Sequence, residues 1–361
     1  MVDRKSNVGD FWRFDEYTNE IQRVVNQRQT TLRFISMKAM LQAAKDIVDM
    51  YSKWETQNLI YLGDPRKTFY FDTKSGKLDF RGENKVAGYG YLVPKGLELS
   101  ELIAPEIVNG TVDTYSRDTQ HWTLAVVLYE FFYHNDGPYK GAESLMRVFY
   151  SADEEYRWMA KNGIFNMEDN TRRNRAVHGV QDRLDKYWWI FPEILRDIFT
   201  QIFVDGKEDC KKRIGTEKWK IVLNQVENRY LECSCGYKGF VEGFPVNEDH
   251  HYMCPKCNQT FYQFSNGLHA IYLSSNTIIK RNQIYPEFFE DDARFGIVVE
   301  NTKQKGLFGV KNVSNEHWLG MYPNGLKKDV APGGGIPIWQ GLELTFAGGN
   351  KWVIKEVQKN D

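Results

Sequence analysis

The chain has 361 residues, 42% apolar and 26% charged, and its 47 basic and 48 acidic side chains leave a net charge of -1. That length exceeds what one hydrophobic core usually organises, so two or three domains are expected, and the near balance of charge makes nucleic acid a weak candidate partner. No stretch approaches the ~20 apolar residues that span a bilayer, and the start, MVDRKSNVGDFWRF, has no apolar signal core, so the expected location is the cytoplasm, without membrane attachment.

Met37, Met40, Leu41, Ala44, Ile47, Val48 and Tyr51 recur at helical spacing and predict a helix with one buried stripe. Short strands are predicted at 58–61 and 68–71, after which Lys74-Ser75-Gly76-Lys77 turns the chain toward a third at 78–80. The run 122–132 is almost continuously apolar, as befits a helix at the centre of a domain. Further helices are predicted at 142–161, 190–204 and 216–229. From Tyr230 onward the chain changes to cysteines, short alternating segments and Gly, Asn and Pro turns, which places a domain boundary near 230. Strands are predicted at 269–273, 277–281, 296–300, 307–312, 317–322, 336–339, 342–346 and 351–356, a rhythm that suits a small β-sandwich.

Four of the five cysteines lie between residues 233 and 257, which points to metal ligands more than to a disulfide framework. Cys233 and Cys235 form C-x-C, and Cys254 and Cys257 form C-P-x-C after eighteen intervening residues. Four thiolates in two knuckles satisfy tetrahedral zinc, and a site closed by four protein ligands is structural. The first knuckle is a residue shorter than C-x-x-C, so His250 or His251 is an alternative ligand, and thiols without metal or in disulfides are the other readings. Cys210 is left over as an ordinary small buried residue.

Ala104-Pro105-Glu106, a polar linker, the apolar run at 122–130 and Gly137-Pro138-Tyr139-Lys140-Gly141 follow one another in an order that resembles the large lobe of protein kinases. In that family the Glu of Ala-Pro-Glu pairs with a late Arg, so the resemblance implies a structural ion pair between Glu106 and Arg213. The closest resemblance is to bacterial protein-kinase-like proteins of tellurite-resistance-type gene neighbourhoods, found beside von Willebrand A-domain proteins and metal-dependent phosphatases. It is carried by 174–205, with Val177-His178-Gly179-Val180 and the Trp188-Trp189 segment, and by 296–346, with Gly309-Val310-Lys311-Asn312-Val313. The implied fold class is α+β and multidomain: a kinase-like carboxyl-terminal lobe over 1–230, a zinc-ribbon-like knuckle over 231–265 and a forkhead-associated-like β-sandwich over 266–361.

Two departures from the family set the expected function. Only about thirty residues precede 31–53, and none matches the glycine-rich loop or phosphate-holding lysine, so the small lobe is expected to be missing. The family's catalytic segment reads Tyr-x-Asp-x-x-x-x-Asn, then a hairpin, then a second metal-holding Asp. Aligned through 74–77, Tyr61 keeps the tyrosine, but Gly63 stands at the catalytic Asp, Thr68 at the Asn and Gly82 at the second Asp. Gln120 replaces the helix Asp that anchors the loop backbone, an anchor expected to be dispensable here. Asp64 and Asp79 read as a turn acid and a strand residue, with a slipped catalytic pair as the alternative.

The leading expectation is therefore a pseudokinase-type scaffold, without ATP, that docks a phosphatase, a von Willebrand A-domain protein or a true kinase, or that self-associates. The alternative is an active or split Ser/Thr kinase subunit whose small lobe comes from another chain, and the third reading is a zinc-dependent nucleic-acid module. In the β-sandwich Lys280-Arg281 is the only vestige of a phosphothreonine-binding motif, and Trp188, Trp189, Trp318, Trp339 and Trp352 read as core. Without a small lobe, Leu59, Ile60, Phe69 and Phe71 need a cover: residues 1–27 folding back through Phe11, Trp12 and Phe14, the chain's own β-domain, or, as the favoured expectation, a partner or a second copy.

Overall fold

In a computed structural model of the chain, Ser36 opens the first long helix, α1 (Met37–Thr56), by accepting the Ala39 N–H at 3.1 Å. The structure describes residues 11–14, 23–25, 28–30, 34–82, 85–134, 137–168, 173–286, 288, 291–304 and 306–357. It divides into two compact units, 1–223 and 224–361, with the division inside the helix Thr216–Arg229.

In the first unit the stripe of α1 is buried, including Leu41, Ala44, Ile47, Val48 and Tyr51, and packs against a second long helix, α2 (Arg117–Tyr133). A capping box starts α2: the Ser116 N–H donates to the Thr119 hydroxyl at 2.9 Å, and the Thr119 N–H donates to Ser116 Oγ at 3.3 Å. The helix is buried nearly all round and ends at His134 in the left-handed region (φ 60°). Beside the two helices lies a three-stranded antiparallel sheet in the order β1 (Phe11–Arg13), β3 (Phe69–Asp72), β4 (Leu78–Phe80). A separate pair joins β2 (Leu59–Tyr61) to β5 (Val86–Gly88), a strand with no clear signal in the sequence.

The chain itself covers most of the apolar surface expected to need a partner. Phe69 and Phe71 are fully buried and Ile60 nearly so, while Leu59 is half-buried. β1 pairs along β3, and the buried Phe14 ring stands 5.9 Å from Phe71 and 6.2 Å from Phe131. The amino end thus supplies part of the cover; the side chains of Phe11 and Trp12 lie outside the described residues, as does most of 1–33.

The helix predicted at 142–161 is two helices, α3 (Ala142–Leu145) and α4 (Ala152–Asn162). Ser151 accepts the Glu154 N–H at 3.1 Å, and this cap starts a new helix where the periodic pattern runs on. Glu193–Thr200 forms the next long element and continues as a π-turn through Gln201–Asp205.

Glu55, near the end of α1, ties three segments together. Its Oε1 lies 3.4 Å from His121 Nε2 and 3.3 Å from Arg117 Nε, and its Oε2 accepts the Thr216 hydroxyl at 2.7 Å. The hydrogen bond from His121 is the main cause holding its carboxyl down at about 2, against the opposing effect of burial. The unfolded value is ~4.3, so this stabilisation is present above that pH and is lost as pH falls through about 2. Glu55→Gln should therefore lower the melting temperature near neutrality, and its deficit should shrink as pH is lowered into that window. A deficit that stays constant across the window would show that Glu55 is not held this way.

Besides a hairpin of Tyr230–Glu232 with Lys238–Phe240 that belongs to a smaller cluster, the second unit has two main sheets over a shared core. The larger runs β6 (Tyr252–Met253), β7 (Thr260–Ser265), β15 (Lys351–Lys355), β14 (Glu343–Thr345), β11 (Trp318–Met321), β12 (Lys327–Val330), with β8 (Ala270–Leu273) also paired to β7. The smaller runs β9 (Ile278–Lys280), β10 (Arg294–Glu300), Phe308–Asn312, β13 (Gly335–Pro337). Phe264, Leu273, Trp352 and Ile354 from the first sheet share a buried cluster with Ile279, Val298, Val310 and Ile336 from the second. This is a sandwich arrangement. The separate domains expected over 231–265 and 266–361 are joined: β7 belongs to the cysteine segment yet pairs with both β8 and β15, for example Gln263 with Lys355. Mixed helical and stranded units of this kind are α+β. Among the described residues no helix is long and apolar enough to cross a membrane.

Candidate functional site

The sulfur atoms of Cys233, Cys235, Cys254 and Cys257 all lie within 4.8 Å of one another. Cys233 and Cys257 are 3.4 Å apart and Cys235 and Cys254 3.6 Å apart. Four thiolates placed ~2.3 Å from one ion at tetrahedral angles stand about 3.8 Å from each other, so the cluster fits zinc.

Two turns of unequal length build it. In the second, the Cys254 N–H donates to the Gln259 carbonyl and the Asn258 N–H to the Cys254 carbonyl, both at 2.9 Å. In the first, the corresponding bonds run from Cys233 to Tyr237 at 2.8 Å and from Gly236 to Cys233 at 2.9 Å, one residue shorter. The residue after the last cysteine of each turn is left-handed, Gly236 at φ 86° and Asn258 at φ 61°, which curls the backbone amides toward the sulfurs. The shorter C-x-C turn thereby still presents both thiols. The Tyr237 N–H holds the Cys235 thiol down at about 7, while burial pushes Cys233 up to about 12. Neither His250 nor His251 belongs to the cluster; His251 is buried, its ring 4.8 Å from Tyr262. The five cysteines are free of disulfides, and Cys210 is half-buried beside Asp118 at 3.7 Å, more exposed than its expected core role.

Gly63, Thr68 and Gly82 are brought together, and aromatic rings fill the space around them. A Cβ on Gly63 would run into the Tyr61 ring and hydroxyl, and one on Gly82 would stand 2.7 Å from Phe80 Cζ and 3.0 Å from Thr68 Cγ2. The Tyr61 hydroxyl donates to Thr68 Oγ1 at 3.0 Å, Trp54 stacks on Tyr61 at 4.7 Å, and Phe80 meets Tyr61 edge-on at 5.5 Å. The two nearby acids have separate duties. Asp64 caps Pro65–Thr68 and pairs with Arg66 at 3.0 Å, whereas Asp79 pairs with Arg81 at 2.6 Å on a half-buried strand. Gln120, expected to be dispensable as an anchor, accepts the Tyr61 N–H at 3.2 Å and so still tethers the loop.

Below this loop opens a cleft of about 440 Å³, lined by Leu62, Gly63, Arg66, Leu97, Ile103 and Tyr156 among others. At its wall Arg66 reaches Glu101 at 3.2 Å and Glu130 at 3.7 Å. Burial pushes the Glu130 carboxyl well above the usual range, and neither of its oxygens has a hydrogen-bond partner among the described residues. Burial is also the largest effect on Glu101 and acts to raise it, but Arg66, Lys140, its own backbone N–H and Tyr156 together outweigh burial and hold its carboxyl below the usual range. The trio sets two carboxyl groups against one guanidinium. It is absent from the sequence reading, where the only signal was an acid, Glu130, inside an apolar run.

Glu106 and Arg213 form a bidentate pair with two bonds of 2.7 Å. The Arg213 side chain is fully buried and also donates to the carbonyls of Gly206 at 2.7 Å and Asp118 at 3.0 Å, with its guanidinium 5.0 Å above the Trp122 ring. In the second unit Arg281 is spent on Glu316 at 3.1 Å and Asp291 at 3.4 Å, and Lys280 joins the start of a short helical turn. Of the tryptophans read as core, Trp188, Trp318 and Trp352 are buried, but Trp189 and Trp339 are largely exposed. No protein-family model matches this sequence, and no curated protein matches it.

Proposed function

We propose that this chain is a non-catalytic, protein-kinase-like binding protein whose second unit is braced by a structural zinc ion. The filled space at Gly63, Thr68 and Gly82 carries the reading. Phosphoryl transfer is positioning plus neutralisation of charge, and it needs an acid at the nucleophile and oxygen ligands for magnesium. At those three positions stand two glycines and a threonine hydroxyl already bonded to Tyr61, hemmed in by Tyr61 and Phe80. The partner classes that suit the reading are a phosphatase, a von Willebrand A-domain protein or a true kinase. Cys233, Cys235, Cys254 and Cys257 would hold the zinc, and a closed set of four thiolates supplies folding energy and no open position for substrate.

One observation favours the alternative of a split kinase: Gln120 still tethers the backbone of the loop. Thermal melting with millimolar MgATP separates the two. A ligand at 100 times its Kd stabilises by about 2.7 kcal/mol, so useful affinity would register, and no shift is expected. A clear upward shift would overturn the non-catalytic reading.

A further inference from the structure

We propose that the face of the first unit carrying residues 145–161 docks a partner protein through a short acidic segment with aromatic or large apolar side chains. Leu145, Met146, Val148 and Tyr150 are 49%, 85%, 86% and 94% exposed. Single exposed apolar residues are ordinary, but four within six consecutive positions mark an interaction surface. The segment has a local cause for its shape: α3 stops after four residues, Ser151 caps α4, and the Tyr150 N–H donates to Glu154 Oε2 at 2.9 Å.

Next to this segment is a cavity of about 420 Å³ lined by Arg147, Val148, Phe149, Arg157, Trp158 and Lys161 among others. Phe149 lies 5.8 Å from Trp158, and the Arg147 guanidinium sits 4.4 Å over the same indole. The floor is thus aromatic and the rim cationic: Arg147, which also reaches Glu143 at 3.5 Å, Arg157, which donates to the Val108 carbonyl at 3.2 Å, and Lys161 line it, against one lining acid, Glu154, which is already engaged with Tyr150. Lys161 has no carboxylate partner among the described residues. Charge complementarity selects an acidic occupant, and the aromatic floor with Tyr and Arg at its edge is the composition of an energetic centre at an interface. A concave pocket accepts an inserted side chain, which favours a peptide over the flat surface of a membrane.

This inference does not depend on the kinase-like reading, since a MgATP shift would overturn that reading and leave this surface unchanged. It is tested with a fluorescein-labelled heptapeptide of alternating acidic and aromatic residues, titrated with the full chain and followed by anisotropy. Saturable binding is expected, weakened by added salt and reduced at least about tenfold by Val148→Asp and by Lys161→Glu. Both side chains are exposed, so neither variant should change the melting temperature. No saturable binding at millimolar peptide, or binding that both variants leave intact, would overturn the proposal. So would binding to anionic phosphatidylserine vesicles without binding to the peptide.

Discussion

Cys254→Ser should abolish metal binding and unravel the segment from 230 to 260. Cys254 is fully buried in a small core with Leu231, Val241, Phe244, Phe261 and Tyr272, and two cysteines are themselves members of that core. So few apolar side chains give little stability alone, whereas zinc supplies about 10–16 kcal/mol to small thiolate and imidazole sites near neutral pH. That is as large as the net stability of a whole domain, ~5–15 kcal/mol. Protein purified without chelator should carry one equivalent of zinc, and the variant essentially none. Proteolysis should become fast between 230 and 260, while the first unit, with its own core, should keep its melting transition. A zinc-free wild-type chain that resists proteolysis in this segment would refute the metal site.

What the sequence revealed depends on how local each signal is. The stripe of α1 and the apolar run of α2 are patterns of one helix, and both helices are present within a few residues of their expected bounds. β12 went unread because three of the four residues in Lys327–Val330 are exposed, leaving no alternation to detect. The thiol cluster was readable because its ligands fall into two short turns of a chemically rare residue. The sharing of β7 between the cysteine turns and the sandwich was not, because its pairing with β15 joins residues about ninety positions apart and leaves no mark on either strand. Arg66, Glu101 and Glu130 are likewise assembled by the fold, from a single helical turn, a loop turn and a long helix. The two exposed tryptophans show the opposite failure: the sequence places a large apolar residue but not which way its backbone turns it.

Glu106→Ala should destabilise the first unit by about 3 kcal/mol, at the lower end of the ~3–5 kcal/mol typical when one partner of a buried pair is removed. The survivor, Arg213, has a fully buried side chain, so its charge cannot turn to water. Two features moderate the loss. Arg213 keeps its carbonyl bonds to Gly206 and Asp118 and its place over Trp122, and Glu106 is itself 16% exposed, so water can enter the vacated space. For a unit of this size about 3 kcal/mol corresponds to a fall of roughly 6–12 °C in melting temperature. Glu106→Gln, which keeps an acceptor but loses the charge, should fall less. Adding Arg213→Met to Glu106→Ala should recover part of the loss, because a buried pair replaced on both sides by apolar groups leaves no stranded charge. Recovery in the double variant separates an uncompensated charge from a simple cavity, which a second truncation would only enlarge. An unchanged melting temperature in Glu106→Ala would mean that the pair is not the tie between the segment at 104–108 and the end of the helical unit.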